Sequence, residues 1–126
     1  MARFKDKHPK MQKQLTPPTT RFVGEQDGAP ERDLKACFSE IFRQEAMVQS
    51  AYLARAEYGD GTGVHVTLAI RHRDGKDRSL ISKLASVFAD IFGSHEHLDM
   101  MFIREDEERE LQAVCVPFYR AKVDGQ

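Results

Sequence analysis

The chain has no tryptophan, and its 126 residues include only two cysteines and five prolines. Without an indole there is no Trp-lined ligand cage. Cys37 and Cys115 stand far apart, in neither a metal nor a redox spacing, so a thiolate metal centre and a dithiol motif are not indicated. Both read as buried, inert thiols, because an unpaired cysteine behaves as a small hydrophobe. No run approaches the roughly 18 apolar residues of a membrane helix. The basic start Met1–Lys7 leads into no apolar segment of the secretory kind. Neither sign of charge dominates: 19 Lys and Arg against 20 Asp and Glu leave −1. That balance argues against a globally basic nucleic-acid binder and against a polyacidic tail. No nucleophile elbow, P-loop or dinucleotide fingerprint occurs. The expectation is one cytoplasmic domain with no cofactor and no membrane contact.

Composition divides the chain into three parts. Residues 1–20 hold Arg3, Lys5, Lys7, Lys10 and Lys13 against Asp6, are broken by Pro9, Pro17 and Pro18, and read as a flexible basic arm. Five positive charges without interleaved aromatics bind phosphate weakly and in a salt-sensitive way, so nucleic acid is a disfavoured partner. Residues 21–120 carry the patterned domain, and 121–126 read as a disordered tail.

Within the domain, Arg21–Gly24 is a short extended segment. Pro30 suits the first helical position. Leu34, Cys37, Phe38, Ile41 and Phe42 recur on one helical face, predicting a helix over 31–44. A strand over 48–58 splits into Val48, Ser50, Tyr52, Ala54, Ala56 and Tyr58 on one side and Ala51, Leu53, Arg55 and Glu57 on the other. Gly59–Gly63 reads as a hairpin loop that needs positive φ. The following strand puts Val64, Val66, Leu68 and Ile70 opposite His65, Thr67, Ala69 and Arg71. Asp77 or Ser79 caps a second helix with apolar face Leu80, Ile81, Leu84, Val87, Phe88, Ile91 and Phe92, closed by Gly93. Two more strands are predicted over 98–103 and 111–116, with Arg104–Glu110 as the charged loop between them. The order α-β-β-α-β-β predicts an α+β two-layer sandwich. It has a four-stranded, largely antiparallel sheet with both helices on one face, related by permutation to a ferredoxin-like arrangement. The other sheet face is left open.

In that order, Arg21-Phe22-Val23-Gly24-Glu25, Val48-Gln49-Ser50-Ala51-Tyr52-Leu53-Ala54, His65-Val66-Thr67-Leu68-Ala69-Ile70 and Val116-Pro117-Phe118-Tyr119 resemble the carboxyl-terminal domain of the SseB family, the bacterial "enhanced serine sensitivity" proteins. The resemblance covers about residues 15–120. It implies a cytoplasmic bacterial protein and brings no catalytic residues with it. Longer members carry another domain ahead of this one, where this sequence has the short basic arm.

Two constellations carry candidate chemistry. His95 and His97, with Glu96 and Asp99 beside them, form a weak metal pair with no third ligand at fixed spacing, so no metal is assigned. Arg55, His65, Thr67 and Arg71, with Leu53, are expected on the open sheet face. There Arg55 and His65 meet across the hairpin and hold a carboxylate or phosphate by charge-assisted hydrogen bonds. The same face carries Ala51, Leu53 and Ala69, extended by Met101, Ile103, Val114 and Val116, and is too apolar to be left in water. The reading leans against an enzyme. It favours a non-catalytic module that binds a protein partner or a second copy through this face. The alternative is a sensor or enzyme for a small anionic metabolite such as an amino acid.

Overall fold

A computed structural model describes residues 20–59, 61–93 and 95–122. The arm expected over 1–20, Thr20 apart, and residues 123–126 of the tail expected over 121–126 lie outside the described residues. In chain order the elements are β1 (Arg21–Glu25), α1 (Ala29–Arg43), β2 (Val48–Glu57), β3 (Val64–His72), α2 (Arg78–Phe92), β4 (Asp99–Phe102), α3 (Glu105–Gln112) and β5 (Tyr119–Arg120). The sheet runs β1-β2-β3-β4, with β5 sharing the outer edge of β2. The architecture is the expected α+β sandwich, and its sheet is largely antiparallel, with one parallel pair that makes it mixed.

The local signals in the sequence explain most elements. Pro30 sits in the first turn of α1 and Glu31 faces the positive end of its dipole. The Asp77 carboxylate accepts the Leu80 N–H at 3.1 Å and starts α2. Gly93, at φ 90°, ends it. Gly59, Gly61 and Gly63 all have φ near +80° to +90° in the β2–β3 loop, where any side chain would be strained.

Both long helices cover one side of the sheet. Leu34, Phe38 and Phe42 of α1 and Leu80 and Leu84 of α2 close over Ala51 and Leu53 of β2, Leu68 and Ile70 of β3 and Met100 of β4. Each fully buried Leu or Phe contributes on the order of 1.5–3 kcal/mol. Phe42 also meets the rings of Phe118 and Tyr119, with centroids 6.1 and 5.4 Å away.

Four expectations are corrected. First, Arg104–Glu110 is not a hairpin loop, and 111–116 is not a strand. Residues 105–112 form α3, which Glu107 opens by accepting the Arg104 N–H at 2.8 Å, with acids throughout its first turn. Secondly, β4 runs parallel to β3, because α2 is a crossover between them. The remaining β1–β2, β2–β3 and β2–β5 pairs are antiparallel. The β-α-β-β-α-β beginning has the ferredoxin-like element order, but its strands lie in sequential order instead of interleaving. Thirdly, the second face is not open. α3 lies there, and Leu111, Ile103 and Cys115 cover Tyr52, Ala54 and Ala69. Fourthly, Cys37 is exposed, on the flank of the α1 stripe. Cys115 is buried as expected, and burial pushes its thiol up to about 11.

Two substitutions grade these contributions. Asp77→Ala removes the α2 cap and is expected to cost about 1 kcal/mol. Leu84→Ala opens a cavity between α2 and the sheet and is expected to cost about 2–5 kcal/mol. Urea denaturation of both variants measures the two costs.

Candidate functional site

The β2–β3 ladder determines which side chains share a face. Leu53 pairs with Leu68, Ala54 with Thr67, Arg55 with Val66 and Ala56 with His65. Arg55 therefore shares the α1/α2 side with Val66 and Leu53, while His65, Thr67 and Arg71 share the α3 side. The expected Arg55–His65 pair does not form. Arg55 instead lies over Gly24, where an added Cβ would sit 3.0 Å from its Nη2. Leu53 is buried in the main core and is not available to a partner. Of the apolar extension expected on the α3 side, Met101 and Ile103 are there, Ala51 lies on the other side, and Val114 and Val116 are exposed beyond α3.

Two polar clusters occupy the α3 side. At one end, Ser50 of β2 stands between Arg71 of β3 and Arg120 of β5 in register. Glu108 descends onto this row from α3. Its Oε2 accepts from the Ser50 hydroxyl at 2.6 Å and from the Tyr52 hydroxyl, and its Oε1 accepts from Arg71 Nε at 3.1 Å. Gln112 Nε2 donates to the Tyr52 oxygen at 3.0 Å. Ser50 and Tyr52 are almost wholly buried.

At the other end, Asp99 opens β4 directly opposite Thr67. Its carboxylate is 8% exposed. Asp99 Oδ2 accepts from the Tyr58 hydroxyl at 2.9 Å, and Oδ1 accepts from His97 Nε2 at 2.6 Å. With its one proton on Asp99, the Tyr58 oxygen accepts from Thr67 Oγ1 at 2.6 Å. The His65 ring stacks on Tyr58, with centroids 4.8 Å apart. Its Nδ1 lies 3.7 Å from Asp99 Oδ2 and its Nε2 is 2.6 Å from Thr62 Oγ1.

His97 is thus a partner of Asp99, whereas His95 is exposed. Among the described residues no group of three His, Cys, Asp or Glu is placed to hold a metal ion. Among them, too, no helix is long and apolar enough to cross a membrane.

The family described as SseB protein C-terminal domain matches residues 25–120. The chain belongs to this family. No curated protein and no solved structure shows a significant match to it. In this SseB C-terminal domain both polar clusters draw on the matched residues, so they are part of the domain itself.

Opposing influences act on Glu108. Burial raises the pKa of its carboxyl, but hydrogen bonds from Ser50 and Tyr52 and the positive charges of Arg71 and Arg120 outweigh burial and hold it below the ordinary 4.5. Burial, followed by the adjacent carboxylate, pushes the Tyr52 hydroxyl up.

Residues that sequence reasoning missed outnumber those it found. Glu108 was hidden in a run of acids that reads as a solvated loop. Ser50 and Tyr52 read as part of a strand face, with no partner above them visible in the sequence. Tyr58 and Asp99 lie 41 positions apart and meet only because β4 is parallel to β3. A single acid beginning an apolar strand, Asp99-Met100-Met101-Phe102, was the signal available for the second cluster.

Two measurements test these networks. A carboxyl held low in the folded state adds stability that is fully present above pH 4.5 and is lost as pH falls through the folded-state value. Glu108→Gln is therefore expected to destabilise the domain at neutral pH and to converge on the parent as pH falls through the lowered folded-state value, as read by urea melts from neutral to acid pH. Tyr58→Phe leaves Thr67 and Asp99 each short of a partner and is expected to cost about 1–3 kcal/mol in the same assay.

Proposed function

We propose that this domain is a non-catalytic interaction module that associates with a second copy of itself, using the edge of β4 and the adjoining part of α2. The observation that supports the reading is an asymmetry between the two sheet edges. The β1 edge is guarded: its ladder is irregular between Phe22 and Gly24, and it is flanked by Arg21 and Glu25, which pair with Glu57 and Lys35. Irregular and charged edges of this kind resist strand addition. β4 has no strand on its outer side among the described residues, its ladder is regular, and after Asp99 it reads Met100-Met101-Phe102.

The neighbouring helix is also incompletely covered. Of the α2 apolar face only Leu80 and Leu84 are buried. Val87, Phe88 and Phe92 are half-buried and Ile91 is 40% exposed. Two β4 edges related by a two-fold axis supply each other's missing backbone partners, which makes the surface self-complementary. A formal charge of −1 leaves little repulsion between copies. An edge-to-edge dimer replaces the face-to-face contact expected from the sequence, since α3 lies on that face.

Sedimentation velocity over the micromolar range tests the proposal. The parent is expected to show a concentration-dependent dimer. The double variant Met101→Lys/Ile91→Glu, which places charge on both parts of the surface, is expected to stay monomeric with unchanged circular dichroism. A parent that remains monomeric throughout, or a dimer that survives both substitutions, overturns it.

A further inference from the structure

The row at the far end of the α3 face has the composition of an anion site that is already filled. Arg71, Ser50 and Arg120 lie side by side across β3, β2 and β5. The Tyr52 hydroxyl adds a further donor on the same face. The occupant is a carboxylate from the chain itself: Glu108 takes a bond from Ser50, one from Tyr52 and one from Arg71 Nε. Two guanidinium groups face one carboxylate, and among the described residues Arg120 enters no ion pair. The row therefore keeps a net positive charge even when Glu108 is in place. Multiple charge-assisted donors converging on one point are what carboxylate recognition requires.

The element that delivers Glu108 is weakly attached. α3 has eight residues, and Leu111 is its only buried side chain. Its ion pairs from Arg109 to Glu105 and from Arg104 to Asp106 and Glu107 are within the helix or its cap and do not reach the sheet. Glu108 is thus the main polar tether between α3 and the sheet, assisted by Gln112 on Tyr52. Beneath the helix lies an apolar floor of Tyr52, Ala54 and Ala69.

We propose that the Ser50–Tyr52–Arg71–Arg120 row is a binding site for a small-molecule carboxylate, that Glu108 fills it in cis, and that an incoming carboxylate displaces Glu108 and releases α3 as a lid. The sheet donors are retained in the exchange, with one carboxylate substituted for another, so the cost of opening is the lost tether and the exposure of Leu111 and the floor. This site is separate from the β4 edge, and neither proposal depends on the other.

Chemical rescue supplies the test. Glu108→Ala vacates the row. Sodium acetate is expected to raise the thermal midpoint of this variant in a saturable way, by mass action, beyond sodium chloride at equal ionic strength. Adding Arg71→Met is expected to abolish the response. Acetate acting no better than chloride, or acting equally well without Arg71, overturns the proposal. Should Glu108→Ala not fold, amide hydrogen exchange of the parent answers the same question. Acetate is expected to speed exchange across residues 105–112 relative to chloride, with the β2 and β3 amides unchanged. Equal α3 exchange in the two salts overturns it.

Discussion

The pairing of β2 with β3 is the constraint on which the rest of the molecule depends. It runs from Val48↔His72 to Glu57↔Val64 and decides, residue by residue, which side chains meet the long helices and which meet α3. Because strand side chains alternate, a slip of one position turns one strand over: it would exchange Leu53 for Tyr52 in the main core if β2 turned, or Leu68 and Ile70 for Thr67 and Ala69 if β3 did. The ladder irregularity between Val48 and Ser50 lets Val48 join the α1/α2 core while Ser50 turns to the other side. The anion row and the Asp99 cluster both exist because this register is held.

Helices α1 and α2 were legible in the sequence because their apolar residues keep a 3.6-residue period and their ends carry Pro30, Asp77 and Gly93. Strand β3 was legible because it alternates. β2 is legible as a strand, but its two faces are the reverse of what its pattern suggests. It is buried on both sides, so Ala51 and Leu53 look no different in kind from Tyr52 and Ala54, and periodicity cannot say which pair belongs under the helices. Alternation alone therefore puts Arg55 beside His65, although the two are on opposite faces. α3 was missed for a different reason. Its single buried residue gives no amphipathic stripe, and its helical character rests on a capping box and first-turn acids that also suit a solvated loop. When 104–110 reads as a loop, residues 111–116 resemble a strand and Glu108 has no partner in view. Of the site residues, His65, Thr67 and Arg71 were assigned to one face correctly, while their partners are fixed by tertiary pairing that local sequence does not encode.

The two polar clusters handle buried charge differently. At Glu108, cations and hydroxyls converge on a carboxylate that is tied to a movable helix. At Asp99, neutral donors and imidazoles surround a carboxylate fixed at the start of a strand, and Tyr58 and Thr67 lock β4 against the β2–β3 hairpin. Between them lie Ala54 and Ala69, both fully buried. Side chains this small allow α3 to sit close to the sheet and separate the clusters by an apolar strip, so each carboxylate answers to its own partners.

The sharing of one β2 edge by β1 and β5 governs how the domain is made. β1 occupies the Ala54–Glu57 stretch, and β5 occupies Ser50 and Ala51. On the ribosome β1 is at hand as soon as β2 emerges, whereas Tyr119 and Arg120 follow some 60 residues after β2 ends. At roughly 5–20 residues per second the nascent chain spends several seconds with that part of the edge unzipped. Ordering of the Phe42–Phe118–Tyr119 aromatic corner consequently waits until Phe118 and Tyr119 have cleared the exit tunnel, well after β2 has done so.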